Sequence, residues 1–158
     1  MKKKEIKSEF TEYDSVAELS SAEQKLISEA EQAAANAYAP YSEFKVGAAV
    51  LLENGKIICG SNQENSSYPV GMCAERVALF AASANNPGIR VTHLVITSSS
   101  QNPAAPCGAC RQVIAEYETL HNHSISILLK SSTTGKIISA NGVKNFLPLM
   151  FTRKDLSR

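Results

Sequence analysis

Two cysteine-bearing segments constrain the fold of this chain more than any other feature of its sequence. One is Cys73–Arg76, which contains Glu75, and the other is Pro106–Arg111, which contains Cys107 and Cys110. Each follows a loop and opens a predicted helix, and a helix N-terminus favours a thiolate over a thiol. Three thiolates brought together by two helix N-termini would form a zinc site whose fourth position stays open to water, which marks a catalytic zinc. The fold must therefore bring these two helix starts together.

The composition is that of an ordinary globular chain. The 158 residues fit a single domain, with 44% hydrophobic and 20% charged residues. The formal net charge of +1 gives no electrostatic reason to expect nucleic acid or a membrane surface as the main partner. No apolar run approaches the roughly 18 residues of a membrane span, and the basic start of the chain is not followed by the apolar stretch of a signal peptide. We therefore expect a cytoplasmic protein whose cysteines stay reduced.

The first predicted elements are a tail and a helix. Residues 1–19 are polar and aperiodic and are expected to form an N-terminal tail, followed by a single catalytic domain over residues 20–156. Ser20 and Glu23 have the spacing of a capping box, and an apolar stripe of helical period follows them. This helix is predicted to stop at Pro40, because the residue before a proline avoids the α-helical region.

A hairpin and a β-α-β unit are predicted downstream. Asn54 and Gly55 join two apolar segments and are typical of a type I′ turn, which needs positive φ at both residues. Further strands and helices alternate after residue 72: helices at 73–84 and 107–120, strands at 91–97, 124–129 and 136–139, and a short helix near 143–147. Because two of these strands flank a helix, a mixed sheet covered by helices is predicted.

The cysteine pair at the second segment leaves two readings open when it is taken alone. Cys107 and Cys110 could form a redox pair or part of a metal site. The third cysteine, two residues before Glu75, favours the metal site, because zinc deaminases combine a His or Cys, one intervening residue and a Glu with a later Pro-Cys-x-x-Cys. This chain carries the all-cysteine form of that pattern.

The chain resembles the cytidine deaminases of the small, homotetrameric, zinc-dependent type. The matching stretches, in order, are Phe44–Ala49, Asn62–Asn65, Tyr68–Arg76, Pro106–Gln112 and Leu147–Phe151. The resemblance covers roughly residues 20–156 and leaves only the N-terminal tail outside. It implies an α/β fold, a three-layer α/β/α sandwich with a mixed, roughly five-stranded sheet.

The resemblance also implies an activity. The expected reaction is hydrolytic deamination of cytidine and 2′-deoxycytidine to uridine and 2′-deoxyuridine with release of ammonia, a step of pyrimidine salvage. One Zn²⁺ per chain would be held by Cys73, Cys107 and Cys110, and its bound hydroxide would attack C4 of cytosine. Glu75 would shuttle protons between water, ring N3 and the leaving amine. Arg76 would hydrogen-bond to ligand sulfurs and offset the charge of three thiolates.

Substrate contacts and partners follow from the same resemblance. Phe44 would pack on the pyrimidine ring, and Asn62 and Glu64 would hydrogen-bond to ribose hydroxyls, since residues two apart on an extended segment point the same way. Phe151 would cap the base from a neighbouring subunit. Gln112 is expected to support the segment between Phe44 and Asn62. The partners implied are a small nucleoside and identical subunits in a homotetramer with shared active sites.

Other zinc proteins fit the sequence less well. A deaminase of tRNA or DNA needs a basic strand-binding surface and usually has histidine as its first ligand, whereas this chain has Cys73. A deoxynucleotide deaminase needs a phosphate site and is typically longer. A blasticidin-type deaminase is similar in length, but Asn62 and Glu64 favour a free nucleoside. A structural zinc module would use four protein ligands and would have no role for Glu75.

Overall fold

A six-stranded sheet and three α-helices organise the chain in the computed structural model, which describes residues 1–156. The helices are α1 (Ser21–Ala35), α2 (Ala74–Asn85) and α3 (Gly108–His121), and the strands are β1 (Thr11–Tyr13), β2 (Val46–Leu52), β3 (Ile57–Ser61), β4 (Val91–Ser98), β5 (Ser126–Ser131) and β6 (Ile137–Asn141). Their spatial order is β1-β6-β5-β4-β2-β3, with β4 and β5 parallel and the other neighbours antiparallel. The mixed sheet and the β-α-β unit are confirmed, with six strands instead of about five. No helix in this part of the chain is long and apolar enough to cross a membrane.

The two faces of the sheet carry different helices, because successive side chains of a strand point to opposite faces. Ala48 and Val50 of β2 pack with Leu94 of β4 in a core shared with α2 and α3. Ala49 and Val95, the intervening residues, pack in a second core with α1. The resulting three layers confirm the α/β/α sandwich.

Two glycines allow helix backbones to approach the sheet closely. A Cβ atom on Gly47 would lie 2.0 Å from the carbonyl oxygen of Ala30 in α1, and one on Gly60 would lie 2.6 Å from the amide nitrogen of Ala78 in α2. A side chain at either position would push the helix away from the sheet. Because Cys73 is the N-cap of α2, the close contact at Gly60 also fixes where the first cysteine segment lies.

The start of α1 and the hairpin turn show what local patterns predict. The capping box is confirmed, because Ser20 and Glu23 each accept a hydrogen bond from the other's backbone N–H. The hairpin is also confirmed, but its type I′ turn is wrong. Of the two central residues only Gly55 has a positive φ, of 83°, whereas Asn54 has a negative φ. The Gly55 N–H donates to the Leu52 carbonyl at 2.9 Å, so the connection is longer than a two-residue turn.

The end of α1 differs from the sequence prediction. The helix ends at Ala35, well before Pro40. The chain leaves the helix early because Tyr38 pairs with a distant loop. Its N–H donates to the carbonyl of Asn62 at 3.0 Å, and its carbonyl accepts from the N–H of Glu64 at 2.8 Å. Long-range pairing therefore overrides the proline signal.

The segment before α1 is more than the tail that its sequence suggested. β1 pairs with β6 and forms one edge of the sheet, with the Tyr13 and Ser139 hydroxyl oxygens 3.2 Å apart. The Phe10 and Phe146 rings pack edge to face with centroids 5.1 Å apart, and Leu19 is buried. A three-residue strand is too short to show an alternating pattern, which is why the sequence did not reveal it.

Candidate active site

Three cysteine sulfurs lie together at the start of two helices. Cys73 is the N-cap of α2 and Cys107 is the N-cap of α3, and Cys110 lies in the first turn of α3. The Sγ atoms of Cys73 and Cys107 are 4.0 Å apart, those of Cys107 and Cys110 are 3.3 Å apart, and all three lie within 4.8 Å of one another. A tetrahedral zinc with bonds of about 2.3 Å needs sulfurs roughly 3.8 Å apart. The predicted ligand set is therefore assembled, and its geometry fits zinc.

The electrostatics of the cluster favour ionisation of one of the three thiols, that of Cys73. A hydrogen bond from Cys110, together with the Arg76 guanidinium and Cys107, lowers the pKa of the Cys73 thiol to about 5. The same pairing, together with burial, raises the pKa of Cys110. The cluster thus stabilises one thiolate through the neighbouring thiol protons. A divalent cation replaces such protons, because a coordinating thiol is deprotonated outright.

Glu75 lies beside this cluster in the first turn of α2. Its residue surface is only 4% exposed, yet it is one of the side chains that line the cavity described below. Burial raises the pKa of the carboxyl group above its usual range. A carboxyl group whose pKa is raised by burial, in the lining of a cavity next to a metal site, is suited to accepting and returning a proton.

The Arg76 guanidinium points back at the metal-binding sulfurs. One terminal nitrogen donates to the Cys73 Sγ atom at 3.7 Å, and the Nε atom is buried without a hydrogen-bond partner among the described residues. Three thiolates and one Zn²⁺ carry a net charge of −1, so a cation at this place reduces the excess charge on the sulfurs. The predicted contact between Arg76 and a ligand sulfur is present.

A cavity of about 560 Å³ opens above the cluster. Its lining combines both cysteine segments, the loop before β2 and the loop after β3, and includes Tyr41, Ser42, Phe44, Val46, Asn62, Gln63, Glu64, Asn65, Tyr68, Gly71, Met72, Cys73, Ala74, Glu75, Ile96, Ala104, Ala105 and Cys107. Within residues 1–156, no lysine, arginine or histidine lines this cavity. It therefore suits a neutral ligand with polar groups better than a phosphorylated one, which would need a cationic partner.

Asn62 ties the loop after β3 to the loop before β2. Its Oδ1 atom accepts from the Val46 N–H at 2.9 Å, and its Nδ2 atom donates to the Phe44 carbonyl at 2.9 Å. Phe44 lines the cavity and remains 37% exposed, so its ring is available to a ligand. Asn62 thus holds Phe44 in place and keeps one N–H for a substrate.

The Glu64 carboxylate is held by the loop before β2. Its Oε2 atom accepts from the N–H groups of Tyr41 at 2.8 Å and Ser42 at 3.3 Å, and its Oε1 atom accepts from the Ser42 hydroxyl. These hydrogen bonds, with the Ser42 hydroxyl first, lower the pKa of the Glu64 carboxyl group. Glu64 is therefore an oriented anion in the lining of the cavity.

Gln112 and Phe151 are hydrogen-bonded to each other, and neither lines the cavity. The Gln112 Nε2 atom donates to the Phe151 carbonyl at 2.7 Å, so it supports the C-terminal segment. Its predicted support of the segment between Phe44 and Asn62 stays a prediction. Phe151 is 56% exposed and does not line the cavity of its own chain. Its predicted role from a neighbouring subunit stays a prediction.

Three residues of the site were given no role by the sequence. Tyr41 and Ser42 hold Glu64 through hydrogen bonds that span more than twenty positions. Arg111 donates from Nε to the Pro106 carbonyl at 2.7 Å and from a terminal nitrogen to the Phe146 carbonyl at 2.9 Å, which fixes the loop that leads into Cys107. The sequence offered two signals for them: Ser42 lies two residues before Phe44, and Arg111 directly follows Cys110 in the second cysteine segment.

Comparisons with known proteins agree with this geometry. Residues 20–122, which include all three cysteines and the glutamate beside them, match the cytidine and deoxycytidylate deaminase zinc-binding region. A cytidine deaminase from Sporosarcina psychrophila is 44% identical over 135 residues, which cover 85% of this chain and 94% of that protein. One from Halalkalibacterium halodurans is 51% identical over 94 residues, covering 59% and 70%. The crystal structure of cytidine deaminase from Burkholderia pseudomallei has a TM-score of 0.71 at 38% identity, covering 80% of this chain and 97% of that one.

Proposed function

Because this chain belongs to the cytidine and deoxycytidylate deaminase family, it is a zinc-dependent hydrolase that deaminates cytidine, and we propose that it accepts 2′-deoxycytidine as well. Water and nucleoside are converted to uridine or 2′-deoxyuridine and ammonia. The observation that carries this proposal is the cluster of Cys73, Cys107 and Cys110, within 4.8 Å of one another, at the base of a cavity that also presents the buried Glu75.

The chemistry is divided between the metal and Glu75. Zinc held by the three cysteine sulfurs supplies a Lewis acid that activates water at neutral pH. The Glu75 carboxylate would accept a proton from the attacking water and deliver it to ring N3. It would then accept the remaining proton of that water, from the oxygen now bonded to C4, and deliver it to the amino group, so that ammonia leaves as the C4 carbonyl forms. Burial supports this role, because it raises the pKa of the Glu75 carboxyl group and so strengthens its hold on a proton. Arg76, through its contact with Cys73, limits the negative charge on the sulfurs.

Recognition of the nucleoside falls to the loops opposite the metal. Phe44 packs on the pyrimidine ring, and Glu64, assisted by the free N–H of Asn62, binds the ribose hydroxyls. The absence of lysine, arginine and histidine from the cavity lining over residues 1–156 supports a free nucleoside over a nucleotide. A nucleotide phosphate placed there would face two carboxylates, Glu64 and Glu75.

The assembly completes the site. We place Phe151 over the base bound by a neighbouring subunit, in a homotetramer with shared active sites. The exposure of Phe151, together with exposed Tyr68, Val70 and Leu149, supports burial of this apolar surface between subunits. We assign the catalytic domain to residues 20–156, with β1 added at the edge of its sheet. A role in pyrimidine salvage in the cytoplasm, where cysteine ligands stay reduced, fits this activity.

The proposed function can be tested on a single preparation of the purified protein. Purified protein is incubated with cytidine, 2′-deoxycytidine, cytosine and deoxycytidine 5′-monophosphate, with ultraviolet absorbance, ammonia and zinc measured on the same sample. We expect turnover of both nucleosides, little turnover of the base and the nucleotide, and one zinc per chain. Light scattering should give the mass of four chains. Zinc without turnover of any of these compounds would contradict the proposal.

A further inference from the structure

The Ser42 hydroxyl lies between the two groups that recognise the nucleoside. It donates to the Glu64 Oε1 atom and accepts from the Phe44 N–H at 3.0 Å. We propose that Ser42 is a positioning residue, which fixes the Glu64 carboxylate and the Phe44 ring in one arrangement and thereby sets affinity for the ribose of the substrate. The proposal rests on the proposed function and names a determinant within that same site.

Ser42 supplies most of what holds the carboxylate. Glu64 accepts three hydrogen bonds from the loop before β2, and two of them come from the hydroxyl and the N–H of Ser42. A hydrogen bond to a charged acceptor is stronger than one between neutral groups, and here it also selects the rotation of the carboxylate. Without the hydroxyl, only Oε2 would be held and Oε1 would be free to turn away from the ribose.

The backbone conformation next to Ser42 holds the Ser42 hydroxyl and the Phe44 N–H in contact. Glu43, the next residue, has φ of 56°, in the left-handed region that residues with a side chain seldom adopt. This conformation reverses the chain between Ser42 and Phe44, so that the Phe44 N–H points back at the Ser42 hydroxyl. A hydroxyl can donate one hydrogen bond and accept others, and the Ser42 hydroxyl does both: it donates to Glu64 and accepts from Phe44. Residues in such backbone conformations cluster at ligand sites where surrounding contacts hold them.

The distribution of contacts separates this role from catalysis. Ser42 makes no described hydrogen bond to the cysteine cluster or to Glu75, so its hydroxyl acts on binding and leaves the reacting atoms alone. Removal of the hydroxyl should therefore raise KM with little change in kcat. The penalty should also depend on the substrate, because it is transmitted through a carboxylate that binds sugar hydroxyls.

The experiment compares Ser42→Ala, Ser42→Thr and a control, Ser67→Ala, on cytidine and on 2′,3′-dideoxycytidine. Ser67 is an exposed residue next to Tyr68, which lines the cavity, and its side chain makes no capping hydrogen bond. For Ser42→Ala we expect KM for cytidine to rise about 10-fold, the effect of one lost hydrogen bond to a charged group, with kcat within about 2-fold. On the dideoxynucleoside the rise should be below about 3-fold. Ser42→Thr keeps a hydroxyl and should restore most of the affinity, and Ser67→Ala should match the wild type.

Other results would overturn the assignment. Equal increases in KM for the two substrates would mean that Ser42 acts on the loop alone, and an unchanged KM for cytidine would remove Ser42 from substrate recognition.

Calorimetric titration with uridine provides a second measurement that needs no turnover, and about 10-fold weaker binding to Ser42→Ala is expected. If the wild type does not deaminate cytidine, the proposed function fails, and the uridine titration still decides the role of Ser42. If Ser42→Ala does not fold, Ser42→Thr and Glu64→Gln are titrated with uridine instead. Ser42→Thr should bind uridine like the wild type, and Glu64→Gln should bind it about 10-fold more weakly. Equal affinities of the two variants for uridine would contradict the role of Ser42.

Discussion

The cavity has two walls that are built in different ways. The metal wall consists of Cys73, Glu75 and Cys107, which line the cavity, together with Arg76 and Cys110, which contact the two cysteines from outside the lining. All five lie in the first turns of α2 and α3, on a buried face of the sheet. The nucleoside wall consists of Ser42, Phe44, Asn62 and Glu64, which lie on two loops joined by hydrogen bonds between side chains and backbone. Reaction chemistry thus depends on packed helices, whereas recognition depends on a few hydrogen bonds. Substitutions on the first wall should change zinc content or kcat, and those on the second should change KM.

The largest effect is expected from Cys110→Ala on the metal wall. Cys110 is fully buried, and its loss removes one of three ligands, so we expect zinc below a tenth of one equivalent and turnover below detection. Loss of the metal and of the packed side chain should also lower Tm by roughly 5 °C or more. Metal analysis measures the zinc content, steady-state kinetics the turnover, and calorimetry the Tm. Cys59→Ala, an exposed cysteine on β3 outside the cluster, is the control and should change none of them. A variant that retains zinc would remove Cys110 from the ligand set.

A smaller effect is expected from Arg76→Gln, which keeps the ligands but removes the charge beside Cys73. Losses of groups that hydrogen-bond to metal ligands typically cost about 10–100-fold, and we expect kcat to fall by that amount with zinc retained. Arg90→Gln is the matched control, since Arg90 forms an exposed ion pair with Glu53. If Arg76→Gln changed KM alone, Arg76 would belong functionally to the nucleoside wall, and the comparison between the walls would need revision.

On the nucleoside wall, Asn62→Ala should raise KM for cytidine about 10-fold and leave zinc at one per chain. The reason is the loss of two hydrogen bonds, to Phe44 and Val46, that hold the aromatic ring over the cavity. Steady-state kinetics with zinc analysis measures both. Asn54→Ala removes a comparable bond, to the Lys56 N–H in the hairpin turn, and should leave KM unchanged. Loss of kcat at constant KM would contradict the division between the walls.

The smallest effect is expected from Gln112→Ala, which belongs to neither wall. Its hydrogen bond to the Phe151 carbonyl supports the segment that we place over a neighbouring subunit's site. A single neutral hydrogen bond contributes about 1 kcal/mol, so kcat/KM should fall by about 2–5-fold, and the tetramer that we propose should dissociate at a higher protein concentration. Kinetics and sedimentation measure the two effects. A change of more than about 50-fold would mean that Gln112 acts inside the cavity.

The metal wall could be predicted from sequence because its information is local. Cys73 and Glu75 are two residues apart at one helix start, and Cys107 and Cys110 are three apart at another, so short motifs specify both the residues and their elements. The capping box at Ser20 was predictable for the same reason. A local motif fixes spacing, and the packing of α2 and α3 on the same face of the sheet brings the two helix starts together.

The nucleoside wall and the sheet edges were harder to predict because they depend on distant pairings. Ser42 gains its role from Glu64, twenty-two positions away, and α1 ends early because Tyr38 pairs with the same distant loop. β1 is a strand only because β6 accepts it, and its three residues carry no pattern of their own. The hydrogen bond from Gln112 to Phe151, thirty-nine positions away, was not predictable either, because the motif shows where Gln112 lies in sequence and not which segment lies beside it in space.

The most direct test of the division between chemistry and recognition is a measurement of zinc content and cytidine kinetics on the same sample of Glu75→Gln. The amide keeps the shape of the side chain and removes its ability to carry a proton. The account predicts one zinc per chain, KM within a few-fold of the wild type and kcat at least about 1,000-fold lower, within the range that general acid–base catalysis provides. A zinc-loaded Glu75→Gln protein that kept a tenth of the wild-type kcat would contradict it.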